Sequence, residues 1–153
     1  MITLSTNLKS AAATTQFTNY DFNSFCNFNG KSIAAKDTGL YELGGDTDNG
    51  QPISAYFEPV HSNWGTLHPK RCRYFYLSYQ ASGPIQLTVL PSFDNTITPR
   101  VPNAQERIRV TIPKNIVQTY WRYQVSNIDG SDFSIDSIEA LFIRRSHGFS
   151  YSS

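Results

Sequence analysis

The stretch Arg71–Phe93, RCRYFYLSYQASGPIQLTVLPSF, is the part of the chain richest in aromatic and β-branched residues. Such residues fit the half-buried surface of a β-sheet. The tripeptide Ser82-Gly83-Pro84 in the middle of the stretch is typical of a turn. We therefore predict a β-hairpin here, at the centre of a sheet to which the rest of the chain adds strands.

The first strand of this hairpin carries large side chains on both of its faces. Alternation along the strand predicts two sets on opposite faces: Arg71, Arg73, Phe75, Leu77 and Tyr79 on one, and Cys72, Tyr74, Tyr76 and Ser78 on the other. The return strand is simpler, since Ile85, Leu87 and Val89 form one apolar face. Because neither face of the first strand is purely polar, we expect a second sheet to cover one face and a neighbouring subunit to cover the other.

The rest of the chain reads as further short strands joined by turns. Asn29-Gly30 predicts a two-residue hairpin turn, because both central residues of a type I′ turn need a positive φ. Further strands are predicted at 31–35, 40–43, 52–60, 106–112, 120–126 and 134–144. The last of these also fits a short helix, although the run Leu141-Phe142-Ile143 favours a strand. The sequence thus predicts an all-β fold without helices, namely an antiparallel β-sandwich, jelly-roll-like or barrel-like, of about eight strands.

A length of 153 residues is typical of one domain. Residues 1–20 are polar and without a clear period, and we expect them to form a flexible N-terminal arm. Residues 21–145 are predicted to form the β-sandwich domain and residues 146–153 a C-terminal tail. Within the domain, the three prolines of Pro91–Asn103 indicate a long loop.

The charge of the chain is nearly balanced, with 13 basic and 12 acidic residues and a net charge of +1. Partners such as nucleic acid or a membrane surface usually need clustered cationic charge, and we expect neither. Only 16% of the residues are charged, against about 25% in an average protein. A surface of neutral polar and aromatic residues is typical of a protein packed against partners.

The sequence carries no motif of a catalytic or metal-binding site. Cys26 and Cys72 lack metal-ligand spacing, and they are expected to be free thiols unless their strands are neighbours close enough for a disulfide. No nucleophile elbow, zinc-binding helix or phosphate-binding glycine loop is present. We therefore expect no enzyme activity, no catalytic residue, no metal and no cofactor. The first fifteen residues lack the pattern of a signal peptide, so we expect the protein to be made in a cytoplasm and its thiols to stay reduced there.

Aromatic and basic residues are the candidates for an interface. Trp64 beside Gly65 is either an anchor for a partner, since tryptophan is enriched at interface hot spots, or a ring folded over the end of the sheet. The full set of candidate interface residues is Trp64, Arg71, Arg73, Tyr74, Tyr76, Phe149 and Tyr151. The many aromatic residues are also compatible with a carbohydrate-binding module. The arginines are compatible with a protein that binds single-stranded nucleic acid.

Three stretches of the chain resemble a known class of proteins. They are GLYELGGDTDNGQPISAYFEP (Gly39–Pro59), KRCRYFYLSYQASGPIQLTV (Lys70–Val89) and YWRYQVSNIDGSDFSIDSIEALF (Tyr120–Phe142). Together they resemble small virion structural proteins of tailed bacteriophages and prophages, which are usually described as tail or neck-region proteins. The likeness covers about two thirds of the chain and contains no catalytic motif.

The resemblance implies a role in assembly. It implies a non-enzymatic protein that is made in the host bacterial cytoplasm and assembles in multiple copies in the virion, in the tail, neck or adaptor region, through β-sandwich packing and terminal-arm contacts. Its partners would be further copies of itself and other virion proteins. Two alternatives stay open at this point: a capsid decoration (cement) protein, and a virion module that binds a receptor or glycan.

Overall fold

The computed structural model describes residues 2–6, 14–18, 20–60, 62–90 and 93–144. The described residues form fourteen strands and no helix, and every strand pair is antiparallel. The all-β prediction is confirmed, but the expected number of about eight strands is wrong because several short strands have little sequence signal. The chain divides into two compact units, Met1–Gly45 and Asp46–Ser153.

The first unit contains a hairpin and a three-stranded meander. Strand β1 (Ile2–Thr6) pairs with β2 (Thr14–Thr18), in a segment where the sequence predicts only an arm. The meander consists of β3 (Ser24–Phe28), β4 (Lys31–Lys36) and β5 (Gly39–Leu43). Its first turn has φ values of 50° at Asn29 and 77° at Gly30, which confirms the predicted turn with positive φ at both positions.

The described residues of the second unit form nine strands in three sheets. They are β6 (Thr47–Asp48), β7 (Gln51–Pro52), β8 (Tyr56–Phe57), β9 (Lys70–Ala81), β10 (Ile85–Leu90), β11 (Phe93–Ile97), β12 (Gln105–Thr111), β13 (Arg122–Asn127) and β14 (Phe133–Arg144). One sheet has the order β11-β10-β13-β8 and another the order β12-β9-β14, while β6 and β7 form a separate hairpin. The last segment is thus a strand, as the sequence favours, and not a helix.

The predicted hairpin within Arg71–Phe93 is wrong, although both of its strands exist. Strand β9 pairs with β12 and β14, whereas β10 pairs with β11 and β13. The turn Ser82-Gly83-Pro84 carries the chain from one sheet to the other, and the amide of Ser82 donates to the carbonyl of Asp132 at 2.9 Å. The two strands can therefore bury their apolar faces in the same core instead of side by side in one sheet.

The core of the second unit draws on both of its larger sheets. Alternating side chains of β9 and β10 are buried in one cluster together with residues of β12 and β13. The rings of Phe75 and Tyr123, one from each sheet, lie 5.5 Å apart between centroids. Such a shared core buries the apolar face of each sheet against the other.

Two further expectations can be compared with the structure. The segment Pro91–Asn103, predicted as a loop, contains β11, so this prediction is wrong over Phe93–Ile97. The nearby prolines favour a loop in the sequence although a short strand forms between them. Cys26 and Cys72 are both free. The predicted arm (1–20), domain (21–145) and tail (146–153) stay predictions, since residues 146–153 and part of 1–20 lie outside the described residues.

Candidate functional site

The outer face of the sheet β12-β9-β14 carries four of the predicted interface residues. On β9, the side chains of Phe75, Leu77 and Tyr79 enter the core, so the alternating residues between and beside them point away from it. Tyr74 and Tyr76 are half-buried on this outer face. Opposite them in the ladders lie exposed residues of the two edge strands.

An irregularity at Arg73 changes which residues share a face. Tyr74 pairs with Leu141 of β14 and Cys72 with Phe142, so Arg73 has no partner of its own on β14. Because one extra residue in a strand reverses the alternation, Cys72 is buried with Phe75. The prediction that Cys72 shares a face with Tyr74 is therefore wrong. The prediction that Arg71 and Arg73 share a face with Phe75 is wrong for the same reason, and the bulged Arg73 is exposed.

Three guanidinium groups lie over the two outer tyrosine rings. The Cζ atoms of Arg73 and Arg109 lie 5.0 and 4.8 Å from the centroid of the Tyr74 ring. The Cζ atom of Arg107 lies 5.5 Å from the centroid of the Tyr76 ring. The two rings are themselves 6.2 Å apart. We call this group of five residues the arginine–tyrosine face.

The charges of the arginine–tyrosine face are only partly balanced. Arg107 forms an ion pair with Glu139 of β14 at 3.0 Å. Arg73 and Arg109 have no ion pair within the part of the chain that the structure describes. Their guanidinium groups lie against the ring of Tyr74, and both residues are exposed. Such groups are suited to bidentate hydrogen bonds with a carboxylate or phosphate.

The border of this face is apolar. Leu141 and Ile143 on β14 are 46% and 42% exposed, and Leu141 lies directly opposite Tyr74 in the ladder. Arg71, opposite Ile143, is half-buried, and its Nε atom is buried without a hydrogen-bond partner among the described residues. Tyrosine and arginine beside exposed aliphatic side chains are the composition expected of a protein interface.

Trp64 lies on the core side of the same sheet. It has a φ of 47°, and its amide donates to Oγ of Ser62 at 3.0 Å. Its ring packs 5.2 Å from that of Phe142, which lies opposite the buried Cys72. Of the predicted interface residues, Arg71, Arg73, Tyr74 and Tyr76 therefore share one face, and Trp64 does not belong to it. Phe149 and Tyr151 lie outside the described residues.

Two arginines of the face were not among the predicted interface residues. Alternation in 106–112 already places Arg107 and Arg109 on the solvent side of their strand. Their position beside Tyr74 and Tyr76 depends on the pairing of β12 with β9, two strands that are separated along the chain by β10 and β11. No local signal in the sequence gives that pairing.

Lys70 is a buried cation close to Trp64. Its side chain is almost fully buried, and Nζ donates to the carbonyls of Thr66 at 2.9 Å and Thr119 at 2.6 Å. The Nζ atom also lies 5.7 Å from the centre of the Phe142 ring. Burial lowers the pKa of this ammonium group from 10.5. Lys70 thus joins two loops at the end of the sheet and is not exposed to a ligand.

The second unit also has an open apolar cleft of about 370 Å³. Its lining residues are Phe57, Tyr123, Phe133, Ile135, Asp136, Ser137 and Ile138. The carboxylate of Asp136 accepts a hydrogen bond from Nε2 of Gln105 at 2.9 Å, and the lining contains no histidine or cysteine. No cluster of three or more potential metal ligands occurs among the described residues.

The described residues contain no helix that could span a membrane. Comparison of the chain with protein-family models, with curated proteins and with solved structures found no match.

Proposed function

We propose that this chain is a non-enzymatic structural protein of a bacteriophage virion, present in multiple copies in the tail, neck or adaptor region. The observation that carries the proposal is the arginine–tyrosine face, where two arginines over Tyr74 have no ion pair among the described residues. Together with the exposed Leu141 this face has the composition of a protein interface. The resemblance of three stretches of the sequence to small tail and neck-region proteins supports the same role.

We propose further that the second unit is a β-sandwich. Support comes from the single core shared by the sheets β11-β10-β13-β8 and β12-β9-β14. A sandwich of this kind leaves the outer face of each sheet open for contacts with other subunits. In the proposed role, the outer face of β12-β9-β14 makes such contacts, and the terminal arm adds to them.

The proposal is tested on phage particles from the bacterial host that carries the gene. We expect mass spectrometry of purified particles to find the chain in several copies per particle. Electron cryo-microscopy is expected to locate it on the tail axis or at the neck. A host strain with the gene deleted is the control, and its particles should lack the corresponding density. Absence of the chain from purified wild-type particles would contradict the proposal.

The same experiment separates the alternatives. Density on the head lattice instead of the tail axis would identify a decoration protein. A glycan-array screen of the purified chain tests receptor binding, with Tyr56→Ala and Tyr120→Ala as the variants, because these two rings are exposed whereas Trp121 is buried. Glycan binding that is lost in these variants would favour the receptor-binding module. Absence of binding to every glycan on the array would exclude this alternative.

The proposed contribution of the arm has its own test. We expect deletion of residues 1–20 to weaken assembly in sedimentation experiments while the melting temperature of the second unit changes little, because all members of its core lie between Cys72 and Val125. A loss of more than about 5 °C in melting temperature would show that the arm contributes to folding instead.

A further inference from the structure

Three exposed cations of the second unit lie at one end of the sheet β12-β9-β14. Arg73 and Arg109 flank Tyr74, which lies in the ladder row Thr111–Tyr74–Leu141. Lys114 is exposed and follows β12 directly after this row. None of these three cations has an ion pair within the described part of the chain. This end of the sheet is therefore an uncompensated basic surface.

The opposite end of the same unit is acidic. Asp129 and Asp132 are exposed in the turn between β13 and β14. The hairpin β6–β7, with Asp46 and Asp48 exposed, lies against this turn, since a Cβ atom on Gly130 would be only 3.0 Å from Cβ of Pro52. We call Asp46, Asp48, Asp129 and Asp132 the acidic end.

Few cations are available to balance the acidic end. Residues 37–69 and 123–143 contain no lysine or arginine. Arg100 lies towards this end of the sheet, but Glu106 is beside it, since the amide of Arg100 donates to Oε1 of Glu106 at 2.8 Å. None of the four aspartates has an ion pair among the described residues, so there they form an uncompensated group of negative charge.

The two charged ends cannot neutralise each other within one copy. Tyr74 and Ala81 lie seven residues apart on β9, which is roughly 23 Å at a strand rise of about 3.3 Å per residue. The acidic turn begins beyond Ala81, since the carbonyl of Asp132 accepts from the amide of Ser82. Charges at this separation are screened at physiological ionic strength, where the Debye length is about 8 Å.

We propose that the arginine–tyrosine face of one copy binds the acidic end of a second copy, in a head-to-tail contact. The inference rests on the proposed assembly in multiple copies. Carboxylates of the acidic end accept bidentate hydrogen bonds from Arg73 and Arg109, whose guanidinium planes the Tyr74 ring already orients. A two-fold symmetric contact through the face alone would bring these arginines against each other and is disfavoured.

The occupant of the face is a protein and not a nucleic acid. Glu139 adds a negative charge within the face, and the exposed Leu141 lies next to Tyr74. The first neutralises Arg107 and leaves only two arginines of the face for a phosphate backbone, which would gain little from the second. A second copy supplies carboxylates as well as apolar surface. Because a head-to-tail contact uses two different surfaces, its repetition produces a ring if it closes and a filament if it does not.

The test uses two charge-reversal variants of the full chain, measured by sedimentation velocity over a range of concentrations. The face variant is Arg73→Glu/Arg109→Glu, and the end variant is Asp129→Lys/Asp132→Lys. We expect each to weaken self-association by about 100-fold relative to the wild type, because charge pairs in contact become repulsive. Raising the salt concentration should weaken wild-type association as well.

Mixing the two variants is the decisive step. The face variant keeps its acidic end and the end variant keeps its face, so an equimolar mixture should form a one-to-one dimer and nothing larger. The chain with all four substitutions should stay dissociated, because Asp46 and Asp48 offset the two introduced lysines and leave an end that does not attract the negative face. Circular dichroism checks the fold of each variant, and Lys31→Glu, an exposed change in the first unit, is the control for altered net charge.

Three outcomes would overturn the inference. The first is a wild-type chain that stays monomeric at high concentration and low salt. The second is self-association that the reversals do not change, which would leave assembly by another surface and the proposed function in place. The third is salt-dependent binding of a single-stranded DNA oligonucleotide that the face variant loses while self-association persists. Failure of the proposed function alone would appear differently, as head-to-tail association of a chain absent from phage particles.

Discussion

In the second unit, fourteen side chains from both larger sheets and their connections are buried in one cluster. In the first unit, by contrast, Ala34 is the only buried residue among the side chains that the structure describes. Phe28 and Leu40 of the first unit are 73% and 78% exposed. Its aromatic residues instead contact one another at the surface, in a chain of rings formed by Phe17, Tyr20, Phe22, Phe25 and Tyr41.

The comparison shows two ways of specifying β-structure. The second unit is held by burial of apolar surface, which contributes roughly 25 cal/mol per Å². The first unit relies on turn geometry, strand pairing and ring contacts, each worth about 1 kcal/mol or less. A unit of 45 residues without a buried core is close to the size below which domains need further support. We therefore expect the two units to respond very differently to equivalent substitutions.

The largest difference is expected for phenylalanine. Phe75→Ala removes a fully buried ring from the second unit and should lower its free energy of unfolding by about 3–5 kcal/mol. Phe28→Ala in the first unit removes an exposed ring and should change stability by less than about 0.5 kcal/mol. Urea denaturation followed by tryptophan fluorescence measures the effect of Phe75→Ala, since Trp64 and Trp121 both lie in the second unit, and hydrogen exchange of the amides in β3 and β4 measures that of Phe28→Ala. Equal effects of the two changes would contradict the comparison.

The next difference is expected for two lysines that both lie beside aromatic rings. Lys70→Met leaves the carbonyls of Thr66 and Thr119 without their buried donor and should cost about 2 kcal/mol. Lys36→Met, near Phe22 and paired with the exposed Asp21, should cost less than about 1 kcal/mol. Chemical denaturation at pH 7 tests both. A more stable Lys70→Met variant would mean that burial of the charge outweighs its hydrogen bonds.

Alkaline pH should act mainly on the second unit. Burial raises the pKa of the Cys72 thiol from 9.0 to about 12, so the folded state holds its proton over a range in which the unfolded state releases it. The contribution of this thiol to the free energy of unfolding is therefore fully present below pH 9 and falls as the pH rises towards 12. Between pH 8 and 10.5 this one group should reduce the free energy of unfolding by about 2 kcal/mol.

Other buried groups also change the stability of the second unit at alkaline pH. Burial, with the nearby Glu106, raises the pKa of Tyr79 to about 12, which adds to the loss of stability above pH 10. The lowered pKa of Lys70 acts in the opposite direction, because the unfolded state then binds more protons below pH 10.5. The variant Cys72→Ala isolates the thiol: its urea midpoint should fall less between pH 8 and 10.5 than that of the wild type. Equal falls would exclude the thiol as the cause.

Prediction from sequence succeeds where the signal is local. Asn29-Gly30 specifies its hairpin, and the alternation in 106–112 and 134–144 identifies β12 and β14. It fails where the outcome depends on distant partners. Nothing around Ser82-Gly83-Pro84 indicates that β9 and β10 belong to different sheets, because both a hairpin and a crossing between sheets bury the same apolar faces.

The candidate site shows the same limit. The sequence predicts Arg71, Arg73, Tyr74 and Tyr76 as interface residues because their strand carries aromatic side chains on both faces and basic residues at its entrance. It does not reveal that Arg109 approaches Tyr74 from β12, or that a bulge at Arg73 turns this arginine towards the same ring. Both depend on the register between strands, which the turns and core of the whole unit determine.

The smallest expected difference compares two turns of the same type. Asn29-Gly30 in the first unit and Asp129-Gly130 in the second have positive φ at both positions. Alanine at either glycine is strained by about 1 kcal/mol, because an L-residue is disfavoured in this region. A Cβ atom at Gly30 meets no atom within 4 Å, whereas one at Gly130 lies 3.0 Å from Cβ and 3.3 Å from Cα of Pro52.

The pair of variants therefore separates backbone strain from packing. Gly30→Ala should lower the stability of the first unit by about 1 kcal/mol, measured by hydrogen exchange of the amides in β3 and β4. Gly130→Ala should cost the second unit about 2 kcal/mol, because the backbone of Pro52 must also move. If Gly130→Ala costs no more than Gly30→Ala, the hairpin β6–β7 yields without resistance. The acidic end, which depends on that hairpin lying against the turn, would then be less well ordered than the head-to-tail contact requires.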